Sequence, residues 1–547
     1  MKVVTIGKYL LDRLSEVGIK DIFGVPGDYN LEFLDGIIDH QELNWIGCTN
    51  ELNAAYSADG YARINGIGAI LTTYGVGELS AVNGIAGSYS EDVPVIHIVG
   101  TPKREYFKRH MILHHSLGTD DTFGSFKKIY ENISSYTVWL DAKNAINQID
   151  SAIKAAVFYK KPVYIMLPVD VASFEILCDI KPLSFASGFD VKEHAEILED
   201  IEKKLKKSNQ AVIISGHKIV RYGLSKDLEQ FATNTNINVV TTAYGKGSFN
   251  EENELYLGIY NGEKSLDQSI VKFVDTADLI LIIGNKFTDI TSSNFKLNFD
   301  KNCVVEISDT HVKYDTKLFT NHSFGFLIKK LASKKLIYDG LSIVGKKDKK
   351  EFEPSEAPIK YNALTNALNE FIKPSDILVS DIGTCMYMTQ YLKLKKGMKF
   401  ILQPLWASIG FSFPASFGAK IATGYNRVIN VIGDGAFNMT FNEIGSVISK
   451  KVNMITILIN NKGYTIEKYI HGPKQSYNNI PSVNYTDLVK AFDPNGLNSL
   501  TFKVNSELEL SEALKACKEN NDKFIFIEVM IPEFDIHEYG KKIFNLE

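Results

Sequence analysis

The sequence predicts an α/β protein made of three doubly wound domains, each with a central parallel sheet. A chain of 547 residues is too long for one domain. Short aliphatic runs alternate with amphipathic helical periods, which is the pattern of parallel α/β layers. A less regular stretch, 179–195, and a charged segment, 345–358, divide this alternation into three blocks. We therefore expect domains at 1–178, 190–340 and 355–547.

The individual elements follow from hydrophobic periodicity. The first block opens with a helical period formed by Ile6, Leu10, Leu14 and Val17. Aliphatic runs that end in Gly, Pro or a polar residue then predict strands. In order, these runs are DIFGVPG, NWIGCT, GAILTTYG, VPVIHIVG and PVYIMLP in the first block, AVIISG, INVVTT, DLILIIGN and CVVEIS in the second, and DILVSD, KFILQ, RVINVIGDG, MITILINN and KFIFIEV in the third.

Composition narrows the class of protein. A formal net charge of −5 and a pI near 6.2 argue against a nucleic-acid or anionic-membrane partner, which would require a basic surface. The five cysteines are scattered and form no C-x-x-C, so neither a disulfide framework nor a zinc site is indicated. The N-terminus has no apolar signal-peptide core, and no run of about eighteen apolar residues suggests a membrane span. We expect a cytoplasmic enzyme.

The strongest motif is a pair of turns at two strand ends. Gly433-Asp434-Gly435 closes one predicted strand, and its glycines permit close backbone approach to a phosphate. Asn461 follows 27 positions after Asp434, at the end of another strand, and Gly463 comes next but one. A carboxylate, an amide oxygen and a backbone carbonyl form half of an oxygen octahedron, which suits Mg²⁺. Either turn alone could be an ordinary loop, but the pair favours a magnesium and diphosphate site.

The GDG…NN pair resembles the cofactor site of thiamine-diphosphate enzymes. That resemblance implies thiamine diphosphate and Mg²⁺ as cofactors, with Asp434, Asn461 and the Gly463 carbonyl as metal ligands. Ala436 follows GDG where many relatives carry serine. The change removes a hydroxyl near the diphosphate but leaves the backbone donors.

Five residues resemble the acid–base set of pyruvate-decarboxylase-like enzymes. Glu51 begins a predicted helix in the context ELNA; alone it would complement the helix dipole, but the resemblance implies a hydrogen bond to N1′ of the cofactor's aminopyrimidine. Asp28 lies in a Gly-rich turn that an ordinary turn former could also occupy. With the pair His114-His115 and with Glu467, it resembles the proton-relay set that protonates a carbanion before the aldehyde leaves.

Further cofactor contacts come from the same resemblance. Ile409, in WASIG, resembles the bulky residue that holds the cofactor in a bent shape, which is a proximity effect. Ala407 replaces the family's usual glycine, and its carbonyl is expected to accept the aminopyrimidine amino group. A threonine at a helix start is as often a simple cap as a phosphate contact. The implied cofactor-binding residues are Gly383, Thr384, Ala407, Ile409, Gly433, Asp434, Gly435, Ala436, Asn461, Gly463 and Tyr464.

The substrate pocket is the least specific prediction. Ile466, next to the relay carboxylate, is expected to contact the substrate side chain. Met386 and the C-terminal residues Tyr539, Ile543 and Phe544 complete an apolar pocket by looser alignment, and simple helix packing explains them equally well. An apolar pocket of this kind favours an oxo acid larger than pyruvate. Branched-chain, aromatic and straight medium-chain acids remain open.

The resemblance covers essentially the whole chain and is nearest to 2-oxo acid decarboxylases that act on branched-chain and aromatic substrates. It implies a pyrimidine-binding, a middle and a diphosphate-binding domain, and non-oxidative conversion of a small 2-oxo acid to an aldehyde and CO₂, with possible carboligase side activity. It also implies active sites between the subunits of a homodimer or homotetramer. The alternatives are an acetolactate-synthase-type carboligase, a pyruvate-preferring decarboxylase, and an inactive regulatory or scaffold protein. A dinucleotide-binding oxidoreductase is disfavoured because Gly75-x-Gly77 is followed by Ser80 instead of a third glycine.

Overall fold

The computed structural model describes residues 2–119, 122–179, 181–185, 190–345 and 351–546. Over these ranges the chain forms three large sheets in succession, with helices between the strands, which confirms the predicted fold class.

The strands and helices have the following bounds. The strands are β1 Lys2–Thr5, β2 Asp21–Gly24, β3 Asn44–Gly47, β4 Gly68–Thr73, β5 Val95–Thr101, β6 Tyr136–Trp139, β7 Val163–Pro168, β8 Glu175–Cys178, β9 Ala211–Ser215, β10 Asn238–Thr241, β11 Tyr256–Ile259, β12 Leu279–Ile283, β13 Val304–Ile307, β14 Val312–Tyr314, β15 Lys317–Phe319, β16 Ile377–Ser380, β17 Lys399–Ile401, β18 Val428–Gly433, β19 Ile455–Asn460, β20 Ser499–Val504 and β21 Phe524–Met530. The helices are α1 Ile6–Glu16, α2 Leu31–Ile38, α3 Glu51–Asn65, α4 Val76–Ser90, α5 Arg104–Lys108, α6 Thr122–Tyr130, α7 Ala145–Tyr159, α8 Val169–Ala172, α9 Val191–Lys207, α10 His217–Arg221, α11 Ser225–Thr235, α12 Gln268–Asp275, α13 Phe324–Ser333, α14 Tyr361–Phe371, α15 Thr384–Thr389, α16 Ser412–Thr423, α17 Asp434–Phe437, α18 Ile444–Ser449, α19 Thr465–His471, α20 Tyr485–Phe492, α21 Glu507–Glu519 and α22 Glu538–Phe544.

The first and third sheets are fully parallel and have matching topologies. Their strand orders are β3-β2-β4-β5-β7-β6 and β17-β16-β18-β19-β21-β20. The middle sheet runs β11-β10-β9-β12-β13-β14-β15, and its last two pairings are antiparallel. The middle sheet is therefore mixed, which the sequence did not indicate. A small antiparallel pair, β1 with β8, completes the first block.

Both faces of the large sheets are buried, as parallel sheets require. In the first sheet, alternate residues enter different apolar clusters: Phe23 and Ile70 lie on one face, and Ile22 and Leu71 on the other. The cluster that contains Phe23 also includes residues of the third block, such as Phe413. The first and third blocks thus share one core, whereas the middle block has clusters of its own.

Helices α3 and α16 join the first and third blocks at very close range. A methyl group added to Gly60 would overlap the Ala415 carbonyl, and one added to Gly418 would overlap the Ser57 carbonyl. Only glycine permits such an approach of two backbones. The Ser57 hydroxyl adds a 3.1 Å hydrogen bond to the carbonyl of Pro414. This contact fixes the helix that begins at the predicted catalytic glutamate.

The two predicted connecting segments are only partly described. Residues 180, 186–189 and 346–350 lie outside the described parts of the chain. The predicted irregular stretch, 179–195, is too long at its C-terminal end, because α9 already begins at Val191. The Asp190 side chain caps this helix by accepting the Lys192 N–H at 2.8 Å. Within the described ranges, no helix combines the length and apolar character needed to cross a bilayer.

Candidate active site

Asp434 is a buried carboxylate surrounded by backbone donors. It follows β18, is 2% exposed, and accepts the N–H of Gly435 at 2.7 Å and the N–H of Gly463 at 3.1 Å. Burial raises the pKa of Asp434 to about 6 despite these hydrogen bonds. Among the described residues, no lysine or arginine forms an ion pair with it. Such a carboxylate, with an amide and a backbone carbonyl beside it, fits a hard divalent cation.

The loop after β19 brings the other two predicted metal ligands to the same sheet edge. Asn461 is 3% exposed, Lys462 has φ +62°, and Gly463 has φ +125°. These two left-handed residues turn the chain back, so that Gly463 reaches Asp434. The strand itself is anchored by Asn460, whose side chain donates to Glu528 at 2.7 Å.

Glycines of the neighbouring loops leave room for a phosphate group. A methyl group added to Gly383 or Gly433 would meet no atom within 4 Å, so open space lies beside both backbones. In contrast, Gly435 is covered by the ring of Tyr464, which a methyl group there would overlap. The hydroxyl of Thr384, at the start of α15, accepts a hydrogen bond from the Tyr361 hydroxyl. A phosphate group therefore has room beside α15 and α17.

Asp381 is a buried carboxylate that sequence reasoning missed. It accepts the N–H of Ile382 at 3.0 Å, of Gly410 at 3.1 Å and of Ser412 at 2.8 Å. Burial raises the pKa of Asp381 to about 6. These bonds tie the end of β16 to the segment that carries half-buried Ile409. Only the tertiary contact identifies this role, because the motif SDIG resembles any strand end.

Ala407, in the same segment, has φ +56°. The left-handed region disfavours residues with a Cβ by about 1–2 kcal/mol. Alanine at position 407 therefore has a conformational cost that glycine would not have.

Three of the predicted relay residues lie together at the edge of the first sheet. His114 Nε2 is 2.5 Å from Asp28 Oδ2, and His115 Nε2 is 3.7 Å from Asp28 Oδ1. Tyr29, which the sequence did not single out, stacks on His114 with ring centroids 5.0 Å apart, and its hydroxyl lies 3.3 Å from Nδ1. The hydroxyl of Tyr74 donates to the His114 carbonyl at 2.8 Å.

Glu51 lies next to this cluster. It is the first residue of α3, half-buried, and burial raises its pKa. A methyl group added to Gly77 would lie 3.1 Å from Glu51 Oε1, and one added to Gly75 would overlap the His115 carbonyl. The start of α4 therefore adjoins both Glu51 and His115.

Glu467 is exposed and Ile466 half-buried on α19, close to a tyrosine that the sequence did not predict. Burial and the nearby Glu467 charge raise the pKa of Tyr387 to about 12. Tyr387 also packs against Tyr539 and Phe544, with ring centroids 5.6 and 6.3 Å away. Helix α22 thus closes one side of this region.

The remaining predicted pocket residues, Met386 and Ile543, differ in their burial. Met386 is buried, with 3% of its surface exposed, and Ile543 is half-buried. The carbonyl of Ile543 accepts a 2.6 Å hydrogen bond from Lys264 of the middle block. Helix packing accounts for both residues as well as a pocket does.

The two halves of the candidate site are not joined by polar contacts within the described parts of the chain. Among the described residues, no hydrogen bond or ion pair joins the Asp28, Glu51 and histidine set to the Asp434, Asn461 and Glu467 set. Large exposed apolar side chains lie along the segments that carry both sets. They are Val76, Met111, Ile112, Leu117, Met439, Ile470 and Tyr477. Exposed apolar surface of this kind is typical of a protein interface.

Comparison with known proteins gives consistent matches in all three blocks. Residues 4–122 match the thiamine pyrophosphate enzyme N-terminal TPP binding domain, 198–319 the central domain, and 381–529 the C-terminal TPP binding domain. The chain is 36% identical to an alpha-keto-acid decarboxylase of Mycobacterium leprae over 98% of this chain and 94% of that protein. It is 34% identical to pyruvate decarboxylase isozyme 2 of Saccharomyces cerevisiae, over 98% of this chain and 97% of the yeast protein.

Proposed function

Because this chain belongs to the thiamine-diphosphate-dependent 2-oxo acid decarboxylases, we propose that it converts an apolar 2-oxo acid larger than pyruvate to an aldehyde and CO₂, with Mg²⁺ as the metal. The observation that carries the proposal is the coexistence of two sets of residues. One is the loop around the buried Asp434 carboxylate, which accepts two backbone N–H groups and forms no ion pair among the described residues, and the other is the Asp28, His114 and His115 cluster.

The C-terminal loops would hold the cofactor. Thiamine diphosphate, when bound, supplies the electron sink that decarboxylation requires. Asp434, Asn461 and the Gly463 carbonyl would bind Mg²⁺, and the backbone beside Gly383 and Gly433 would approach the diphosphate. The open space beside Gly383 and Gly433 supports this assignment.

The N-terminal residues would handle protons. Glu51 would hold N1′ of the aminopyrimidine, and its half-buried position favours a carboxyl that shares a proton with a ring nitrogen. Loss of CO₂ leaves a carbon that must receive one proton. His114 shares a hydrogen bond with Asp28, and His115 lies 3.7 Å from the same carboxylate, so this group could deliver the proton together with Glu467 from the C-terminal set.

The lack of a hydrogen bond or ion pair between the two sets among the described residues supports an active site between subunits. We assign 1–178 as the pyrimidine-binding domain, 190–340 as the middle domain and 355–547 as the diphosphate- and metal-binding domain. The first domain of one subunit would face the third domain of another in a homodimer or homotetramer. The exposed apolar side chains around both sets support this arrangement.

The preference for a larger substrate rests on apolar neighbours of the relay carboxylate. Ile466 is adjacent to Glu467 in sequence, and Tyr387 with the rings of α22 lies on the same side. Apolar walls of this kind discriminate substrates mainly by size.

A substrate panel tests the proposed function. Pyruvate, branched-chain, medium-chain, phenylpyruvic and indolepyruvic acids are supplied with saturating cofactor and Mg²⁺, and aldehyde and acyloin are measured separately. We expect aldehyde as the main product and a higher kcat/KM for the larger acids than for pyruvate. Predominant acetolactate would favour the carboligase, a clear preference for pyruvate would refute the substrate assignment, and no turnover would favour a scaffold protein.

The metal assignment has a separate test. Asp434→Ala should lose Mg²⁺-dependent binding of thiamine diphosphate, measured by calorimetry, because the only carboxylate of the ligand set is gone. Asp487→Ala is the matched control, since Asp487 is exposed and contacts its near neighbours in sequence, Asn484 and Lys490. Normal cofactor binding by Asp434→Ala would refute the metal assignment.

A further inference from the structure

We propose that Asp28, His114 and His115 form a binding site for a divalent cation of the zinc type, and that Zn²⁺ bound there inhibits the enzyme. The inhibitory part rests on the proposed function, since it assumes that these side chains carry protons during turnover. The binding part rests on geometry alone.

The three side chains offer a compact donor set. One atom from each, two imidazole nitrogens and a carboxylate oxygen, lies within 4.8 Å of the others. Ligands of tetrahedral Zn²⁺ at bond lengths of about 2.0–2.2 Å are roughly 3.4 Å apart. The Asp28–His114 contact of 2.5 Å would lengthen, and the Asp28–His115 contact of 3.7 Å would shorten by a few tenths of an ångström. Both changes require rotations of the exposed Asp28 and His114 side chains and of the half-buried His115 side chain.

Neighbouring aromatic residues already orient His114 as a ligand. Its Nδ1 lies 3.3 Å from the Tyr29 hydroxyl, its ring stacks on Tyr29, and its carbonyl accepts the Tyr74 hydroxyl. Metal-ligating histidines commonly have the second ring nitrogen engaged in this way, which fixes the ring orientation. Nε2 is left facing Asp28.

The donor atoms favour a zinc-type cation over Mg²⁺. Two imidazoles and one carboxylate suit Zn²⁺, whereas Mg²⁺ prefers oxygen ligands. Excess Mg²⁺ should therefore fill the Asp434 loop without displacing Zn²⁺ from the histidines. Asp28 and His114 are 47% and 59% exposed, so an ion can enter and a water can complete the coordination.

Occupation of the site would remove two proton carriers at once. An imidazole nitrogen bound to a metal cannot take up a proton, and Asp28 would be neutralised by the cation. Turnover should fall as Zn²⁺ binds and should recover when a zinc-selective chelator is added.

The test is a Zn²⁺ titration of the full chain with saturating thiamine diphosphate and excess Mg²⁺, followed by competition with a zinc-binding dye. We expect one Zn²⁺ per chain, and at least a tenfold weaker affinity in His114→Asn. The matched control is His110→Asn, because His110 is exposed, lies in the same segment and is outside the cluster. It also has φ +54°, a backbone region that asparagine tolerates. The control should bind Zn²⁺ as the wild type does.

Unchanged Zn²⁺ affinity in His114→Asn, or no Zn²⁺ bound by the wild type, would overturn the proposal. Asp28→Asn provides a second variant in case His114→Asn does not fold, as judged by circular dichroism. Because both variants are also expected to lower turnover, binding decides the site, and inhibition is judged on the wild type and His110→Asn. A chain that binds Zn²⁺ at this cluster but decarboxylates no 2-oxo acid would contradict the proposed function and leave the metal site standing.

Discussion

At the residue scale, Ala407 has an unfavourable left-handed backbone within a segment that hydrogen bonds hold in place. Its N–H donates to the Gln403 carbonyl at 3.0 Å, and Asp381 fixes the chain beyond it. The surrounding hydrogen bonds therefore impose φ +56° on a residue that disfavours it.

Replacement of Ala407 by glycine should raise the thermal midpoint slightly. Relief of about 1 kcal/mol of strain exceeds the roughly 0.5 kcal/mol lost through the more flexible unfolded chain. Differential scanning calorimetry of the cofactor-free protein measures the shift. Ala422→Gly in α16 is the control and should lower the midpoint, because glycine destabilises a helix. Equal decreases in both variants would show that Ala407 is not strained.

Glu51→Gln should lower kcat by about a hundredfold or more while cofactor binding persists. Glutamine keeps the shape and one acceptor but cannot exchange a proton with the aminopyrimidine. Steady-state kinetics and a cofactor titration measure the two quantities. Glu32→Gln, an exposed carboxylate in the first turn of α2, should leave both unchanged. Turnover within twofold of the wild type would remove Glu51 from the proposed acid–base set.

At the element scale, α4 connects the stability of the first block to its candidate site. Glu78 accepts the Gly75 N–H at 2.6 Å and the Tyr164 hydroxyl, and so caps the helix from within. Burial raises the pKa of Glu78 to about 7, so the folded protein favours the neutral carboxyl. The same helix start lies against His115 and Glu51.

The stability contributed by neutral Glu78 should be present below about pH 4.5 and be lost as the pH rises through about 7, since the folded pKa lies above the unfolded value. The shift corresponds to a free energy on the order of 3 kcal/mol. Glu78→Gln stays neutral, and its thermal midpoint should fall less than that of the wild type between pH 5 and pH 8. Parallel midpoint curves for the two proteins would contradict this interpretation.

Sequence patterns predicted the central elements better than the peripheral ones. Strands such as β18 and β19 are continuous aliphatic runs, because both faces of their sheet are buried. Strands such as β1 and β15 are short and largely exposed, so they carry no such signal. The GDG and NNKG turns were visible because backbone geometry restricts their residues. Sequence spacing could not reveal the roles of Tyr29, Asp381 and Tyr387, because these roles depend on contacts between residues that are far apart in the sequence.

At the scale of the whole molecule, a buried arginine adds a charged link to the packing between the first and third blocks. Arg63, in α3, pairs with Asp59 at 2.6 Å and donates to the Leu402 carbonyl at 2.8 Å. It lies 3.9 Å from Glu91, which accepts the backbone N–H groups of Leu405 and Trp406. All three charged side chains are buried.

Arg63→Met should destabilise the protein by about 3–5 kcal/mol, because buried Asp59 and Glu91 would lose the cation paired with them, and only the more distant Arg221 would remain. A pronounced fall in the thermal midpoint measures this. Lys317→Met is the control: its exposed ammonium pairs with Glu196 and with half-buried Asp200 at the surface, where ion pairs contribute little to stability. A similar small effect of both substitutions would show that the buried pair does not hold the blocks together.

The middle block supplies none of the predicted site residues, yet it supports the helix that carries two of them. Lys246 donates to the Leu392 carbonyl at 2.7 Å, and Asn261 donates to Gln390 at 3.0 Å, both just beyond α15. We therefore expect the constraint on sequence to differ between parts of this block. The sequence of its outer helix α9 should vary widely among relatives. Substitutions at Lys246 and Asn261 should instead occur together with substitutions around α15.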